Sequence, residues 1–175
     1  MTARESWAAS PMPAVIVPHA LGAELAADAR ERFESVGYTR YALLDRGSFD
    51  EVRNVDEPVL LEALAAIAGE IAGRALVVAE ARVLRLLPGD YVLLRHDRVH
   101  EERPVELMLD LSPACVPGAA VHYRHRGQVY FTNPCTPGAL CLVERGPTVL
   151  CNHTYVSKLH VGASVVRLVV LLRAE

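Results

Sequence analysis

Apolar positions along this chain follow two periods, and the change from one to the other falls near Ala75. Before it, short strand-like and helix-like segments alternate. The run AVIVPHAL, beginning at Ala14, is β-branched and predicts a short strand. The following GAELAADARERFESVG sets Leu25, Ala29, Phe33 and Val36 at helical spacing, and Gly37 stops the helix. A second helix is predicted after Asp56, a candidate N-cap with Pro58 in the first turn; it carries Leu60, Leu64, Ile67 and Ile71 on one face as far as Gly73. Both helices are amphipathic and need a surface to cover.

That surface is supplied from Ala75 onward. Strand-length segments read ALVVAEARVLRLL, YVLLRH, VELMLDL, AAVHYR, QVYF, ALCLV, TVLC, TYVSKL and SVVRLVVLLR, punctuated by PGD, SPACVPG, HRG, NPCTPG, ERGP and HVGA. Many short strands at close spacing predict a sandwich or barrel. With helices in front of them, the expectation is an α+β domain whose β part is a jelly roll, or double-stranded β-helix, as in cupins, with the N-terminal helices packed on its outside. One domain is expected over residues 1–175, with helical support mainly in 20–73 and the β core mainly in 75–173.

Composition narrows the function. The chain of 175 residues is 51% hydrophobic, enough for one well-filled core. Its net charge of -3 comes from acids and bases mixed along the chain, without a basic block, so no footprint for nucleic acid is present. A small molecule or a protein side chain is the expected substrate. Cys115, Cys135, Cys141 and Cys151 show no Cys-x-x-Cys spacing, and the N-terminus lacks a signal-peptide core, so free thiols in the cytoplasm are expected. The longest apolar stretch, VGASVVRLVVLL, is interrupted by Arg167 and is too short to span a membrane.

Candidate chemistry lies in the histidines. His19 precedes the first helix, His122 and His125 sit at a basic hairpin tip, and His160 lies in the turn HVGA. That leaves His96 and His100, in PGDYVLLRHDRVHEER, and His153, at the start of a late strand. Two histidines from neighbouring strands plus one carboxylate form the facial arrangement that binds non-haem Fe(II). His96 and Asp97 are adjacent, so they share a metal only if the chain turns there. Arg167 breaks the last apolar strand: Val165, Arg167, Val169 and Leu171 point one way by alternation, so its charge needs a partner.

The order of landmarks is similar to that of the Fe(II)/2-oxoglutarate dioxygenases of the prolyl-hydroxylase-like type: Gly89-Asp90, His96, VELMLDL, Pro137-Gly138, His153, Gly162 and Arg167. The resemblance covers most of the chain. It implies a hydroxylase with Fe(II) held by His96, Asp97 and His153, and with Arg167 binding the far carboxylate of 2-oxoglutarate. The departure falls on the metal motif. Counting from His96, Arg98 stands where the family has a carboxylate ligand, and arginine cannot coordinate a cation. Asp97, His100, Glu101 and Glu102 are the alternatives for the third ligand. Two other readings remain open at this stage: a binding module for an anionic ligand that has lost its metal, and a cupin-like metal oxygenase that does not use 2-oxoglutarate. For Arg167 the competing account is an ion pair with a structural Asp or Glu.

Overall fold

The structure, a computed structural model, describes residues 1–94 and 104–175. Three helices and eleven strands follow in the order α1 (Ala3–Ala9), β1 (Ala14–Val17), α2 (Ala23–Val36), β2 (Thr39–Leu43), β3 (Gly47–Arg53), α3 (Pro58–Ala72), β4 (Leu76–Leu86), β5 (Tyr91–Val92), β6 (Val105–Asp110), β7 (Ala120–His125), β8 (Gln128–Pro134), β9 (Leu140–Glu144), β10 (Val149–His153) and β11 (Val165–Ala174). Every pairing is antiparallel, in the order β1-β9-β6-β11-β4-β3-β5-β10-β7-β8, with β2 on β3. From β4 to β11 the chain switches repeatedly between a wall of β9, β6, β11 and β4 and a wall of β5, β10, β7 and β8. That switching is the jelly roll expected from the strand spacing.

The two walls join where β3 meets β5, and the join needs a glycine. Gly47 has φ +127° and pairs with Val92; a Cβ there would lie 2.1 Å from the Tyr91 carbonyl oxygen. Any side chain at this position would push β5 away. Gly138 makes a second close approach. It receives the Leu21 N–H on its carbonyl at 3.0 Å, and a Cβ on it would lie 2.5 Å from the Leu21 oxygen.

Two apolar layers result, one on each face of the larger wall. Outside it, Val105, Leu107 and Leu109 of β6 and Val166, Leu168, Val170 and Leu172 of β11 pack under Ala26, Ala29 and Phe33 of α2 and Leu61, Leu64, Ala68 and Ile71 of α3. Inside, Met108, Val165 and Val169 meet Val121, Tyr123, Val149 and Cys151 from the opposite wall. β6 and β11 are therefore buried on both faces, and their alternate residues belong to different cores.

Several expectations require correction. The helix α1 is additional; Thr2 caps it in a capping box with Glu5, a signal present in the sequence. The β2–β3 hairpin is a further addition to the expected elements. On α2 the buried stripe is Ala26, Ala29 and Phe33, while Leu25 and Val36 are exposed. On α3 the N-cap is Glu57 rather than Asp56, and the buried face runs through Leu61, Leu64, Ala65, Ala68 and Ile71, leaving Ile67 exposed. Alanines share both contact faces with Phe33 on α2 and with Leu61, Leu64 and Ile71 on α3, and Leu25, Val36 and Ile67 fall outside those faces. The segment TYVSKL forms no strand; residues 154–164 are loop and turn. Among the described residues, no helix is long and apolar enough to cross a membrane.

Candidate active site inside the barrel

β10 and β11 bring the site together. Along β10, Val149, Cys151 and His153 point into the barrel and are buried, while Leu150 and Asn152 face the other way. His153 ends the strand, opposite Val121 of β7 on one side and Val92 of β5 on the other. Along β11, Arg167 points inward between Val165 and Val169, as the alternation predicts, and is only 1% exposed. The two side chains meet: Arg167 Nη1 donates to His153 Nδ1 at 3.2 Å. A guanidinium has no acceptor, so in this contact Nδ1 supplies the lone pair.

The other edge of the guanidinium is open. Arg167 Nε and Nη2 are both buried without a hydrogen-bond partner. Asp110 is the acid closest in register, directly across from Arg167 on β6. Its two oxygens instead accept the Ser112 N–H at 2.9 Å and the Thr136 N–H at 2.8 Å. Among the described residues Arg167 forms no ion pair, so the competing account of a structural carboxylate partner has no support there. A buried cation with two unused donors is costly unless a guest supplies the acceptor.

A third inward polar group lies level with His153. Asn133 on β8 is opposite Val121, and its amide donates only to the Met108 thioether at 3.6 Å. The sequence carries no signal for it, because NP reads as a turn. Asp110 was also missed, although its place at the end of an apolar strand, two residues before Ser112, is the pattern of an acid that closes a turn.

His96 and Asp97, together with Arg98, His100, Glu101 and Glu102, lie outside the described residues. Among the described residues no three His, Cys, Asp or Glu side chains converge as a metal site. The other described histidines do not join His153. His19 is exposed, His122 and His125 belong to the β7–β8 hairpin, and His160 sits in the turn between Ser157 and Ala163, as expected. Lys158 is exposed.

The Gly89-Asp90 landmark is structural. Asp90 accepts both terminal nitrogens of Arg40 at 2.7 and 2.6 Å, the Ser48 hydroxyl at 2.7 Å and the Leu87 N–H at 2.9 Å. Burial alone would raise its pKa, but the hydrogen bonds from Arg40, Leu87 and Ser48 prevail and hold it below the ordinary carboxylate value. This cluster pins the turn that leads into β5.

The four cysteines are free thiols, and three of them are buried. Burial, reinforced by Glu106, pushes the Cys141 thiol far up, and burial with Asp110 raises Cys135. Neither is poised as a thiolate ligand.

No protein-family profile and no curated protein matches the sequence. Solved structures match over nearly all of it. A prolyl-4-hydroxylase from Pseudomonas putida is 15% identical with a TM-score of 0.71, and the match covers 99% of this chain and 100% of that one. An oxidoreductase of the 2OG-Fe(II) oxygenase family from Burkholderia pseudomallei is 11% identical with a TM-score of 0.73, covering 98% and 89%. The viral collagen prolyl hydroxylase of Paramecium Bursaria Chlorella virus-1, in complex with 2OG, is 10% identical with a TM-score of 0.67, covering 93% and 96%. The chain has the double-stranded β-helix fold of these oxygenases.

Proposed function

We propose that this chain is a non-haem Fe(II)/2-oxoglutarate-dependent oxygenase, a single-domain cytoplasmic hydroxylase acting on a small molecule or a protein side chain. The observation that carries this reading is the buried Arg167, whose Nε and Nη2 have no partner. These two nitrogens form the side-on fork of a guanidinium, which matches the two oxygens of a carboxylate. The fold shared with solved oxygenases adds support. In this reading the fork would hold the far carboxylate of 2-oxoglutarate.

His153 is the described candidate for the metal, and His96 and Asp97 are proposed as its companions. In support, β5 pairs with β10 at Val92 and His153, and His96 follows Val92 by four residues. His153 fits a metal only when Arg167 Nη1 leaves its Nδ1. When bound, iron and the oxoacid supply the oxidising power that turns a substrate C–H into C–OH, with oxygen consumed and succinate and carbon dioxide released. The chain's own part is to hold and to exclude. Arg167 orients the oxoacid through its far end, and the walls of Val121, Val165, Val169 and Met108 keep water from its length.

The test is metal analysis after anaerobic reconstitution with Fe(II), followed by succinate detection with 2-oxoglutarate and oxygen. One metal per chain, lost in His153→Ala, is expected, with succinate formed only in the loaded protein. Absence of stoichiometric metal would leave an anion-binding module in place of an oxygenase.

A further inference from the structure

We propose that Cys115 and Cys135 form a redox-active pair: an exposed thiol that exchanges with a small disulfide, and a buried thiol that resolves the adduct into an intramolecular link. The pair lies apart from the residues assigned to oxygenase chemistry, so the proposal stands whether or not the chain is an oxygenase.

The placement of one sulfur carries it. Cys135 directly follows β8 and is 3% exposed; its Sγ accepts the Val116 N–H at 3.4 Å and donates to the Ala114 carbonyl at 3.7 Å. Ala114 and Val116 are the two chain neighbours of Cys115, so this sulfur lies against the backbone of Cys115 itself. Standard backbone dimensions put both contacted atoms within about 3 Å of the Cys115 Cα, which therefore lies within about 7 Å of the sulfur. The Cys135 N–H also donates to the Ala119 carbonyl at 2.8 Å, which holds the two segments side by side. Disulfides join residues whose Cα atoms are about 4.4–6.8 Å apart. With one sulfur already on the other residue's backbone, the main movement left is a turn of the Cys115 side chain.

The two thiols differ in the way an exchange reaction uses. Cys115 is exposed while Cys135, Cys141 and Cys151 are buried, so a small disulfide such as oxidised glutathione meets Cys115 first. The Cys115 sulfur attacks, the glutathione S–S bond breaks, and one glutathione leaves as a thiol carrying the Cys115 proton. Cys135 then attacks the Cys115 sulfur of the mixed disulfide, and the second glutathione leaves with the Cys135 proton. The chain is oxidised by two electrons and one glutathione disulfide is reduced to two thiols. Burial and Asp110 raise the Cys135 thiol, against the opposing pull of Ser112, the Val116 N–H and Arg167, so it stays protonated until an adduct is beside it. In a reducing compartment such a link is a reversible mark rather than a structural staple. Its position gives it a consequence. Asp110, in register with Arg167, accepts the Ser112 N–H, three residues from Cys115, and the Thr136 N–H, next to Cys135. The link therefore ties together the two segments that hold Asp110 beside the buried guanidinium.

The test incubates the full chain with mixtures of oxidised and reduced glutathione, traps free thiols by alkylation, and reads intact mass and a peptide map. The wild type is expected to lose two hydrogens and to yield a linked peptide joining Cys115 to Cys135, reversed by excess reduced glutathione. Cys115→Ser should give no link and leave Cys135 reduced. Cys135→Ser, close to isosteric, should accumulate a glutathione adduct on Cys115, because the resolving thiol is gone. A wild type that stops at the Cys115 adduct, or that links any other pair, would overturn the proposal without needing a variant to fold. Oxidation of Cys135 at the same rate in Cys115→Ser would overturn the order of the two thiols. Amide correlation spectra of the wild type before and after oxidation read the coupling: the Ser112 and Thr136 N–H signals should shift, and unmoved signals in the linked chain would overturn the connection to Asp110.

Discussion

Among the described residues two arginines are buried in this barrel, and they are buried differently. Arg145 is 6% exposed and Arg167 1%. Arg145 donates to Glu106 Oε2 at 2.5 Å, to the Cys151 sulfur at 3.5 Å and to the Val149 carbonyl at 3.3 Å. Tyr123 completes the cluster by donating its hydroxyl to the other Glu106 oxygen at 2.6 Å and lying near the guanidinium with its ring. Arg167 has one bond, to a histidine, and an open fork. A buried arginine with its own carboxylate organises the fold. One whose carboxylate must come from elsewhere organises a binding site.

The largest expected effect tests the first half of that contrast. Glu106→Leu removes a buried carboxylate from Arg145 and the acceptor of the Tyr123 hydroxyl, and should lower the unfolding free energy by about 3–5 kcal/mol. Urea denaturation measures it. Arg167→Leu should behave oppositely, keeping stability within about 1 kcal/mol of wild type because no carboxylate partner is stranded. Similar losses in both variants would erase the distinction.

The next effect concerns the guest. Arg167→Ala should weaken 2-oxoglutarate binding by about 2–5 kcal/mol, the scale for removing one side of a buried charge pair, and Arg167→Lys should recover only part because the fork is gone. Calorimetry with the metal-loaded protein reads this directly. Unchanged affinity would mean that the open fork is not the carboxylate site.

A smaller effect separates both arginines from the pair of half-exposed Arg40 and buried Asp90. Asp90 has a depressed pKa in the folded chain, so its contribution is present above its ordinary value of 3.8 and is lost as pH falls through the lower folded value. Asp90→Asn should cost about 1–2 kcal/mol at pH 7, reduced by solvent at Arg40, and the difference from wild type should shrink in the acid range. Stability curves at pH 7 and pH 3 check the sign.

The smallest effect is at Tyr130, whose hydroxyl is buried without a partner and whose pKa burial pushes up to about 12. Tyr130→Phe removes an unsatisfied donor and should change stability by less than about 1 kcal/mol, in the stabilising direction. A large loss would show that the hydroxyl belongs to the Arg145 cluster after all.

Strand count and spacing made the jelly roll legible, because turns rich in Pro and Gly mark strand ends locally and a helix-free run of short strands has few ways to bury itself. Arg167 was legible for the same reason: period-two alternation is a property of the backbone, and it put the guanidinium among Val165 and Val169 before any contact was known. The helix faces were not legible. Leu25 and Ile67 look like core by hydrophobicity, yet the buried faces of α2 and α3 run through Ala26, Ala29 and Phe33 and through Leu61, Leu64, Ala65, Ala68 and Ile71.

What the chain alone determined, then, is the architecture and the inward direction of Arg167. The tertiary structure decided the direction of polarity. Glu106 and Asp110 alternate with leucines on β6 as if one face met water, but that strand is covered by helices on one side and by the opposite wall on the other. Whether a polar residue on such a strand faces solvent, a partner or an empty acceptor site depends on which strand lies across from it. That pairing is set by long-range closure, and no local pattern encodes it. The bond between Arg167 and His153 belongs to the same class: their positions differ by 14 in sequence, and only the facing of the two walls that carry β10 and β11 brings the donor to the ring.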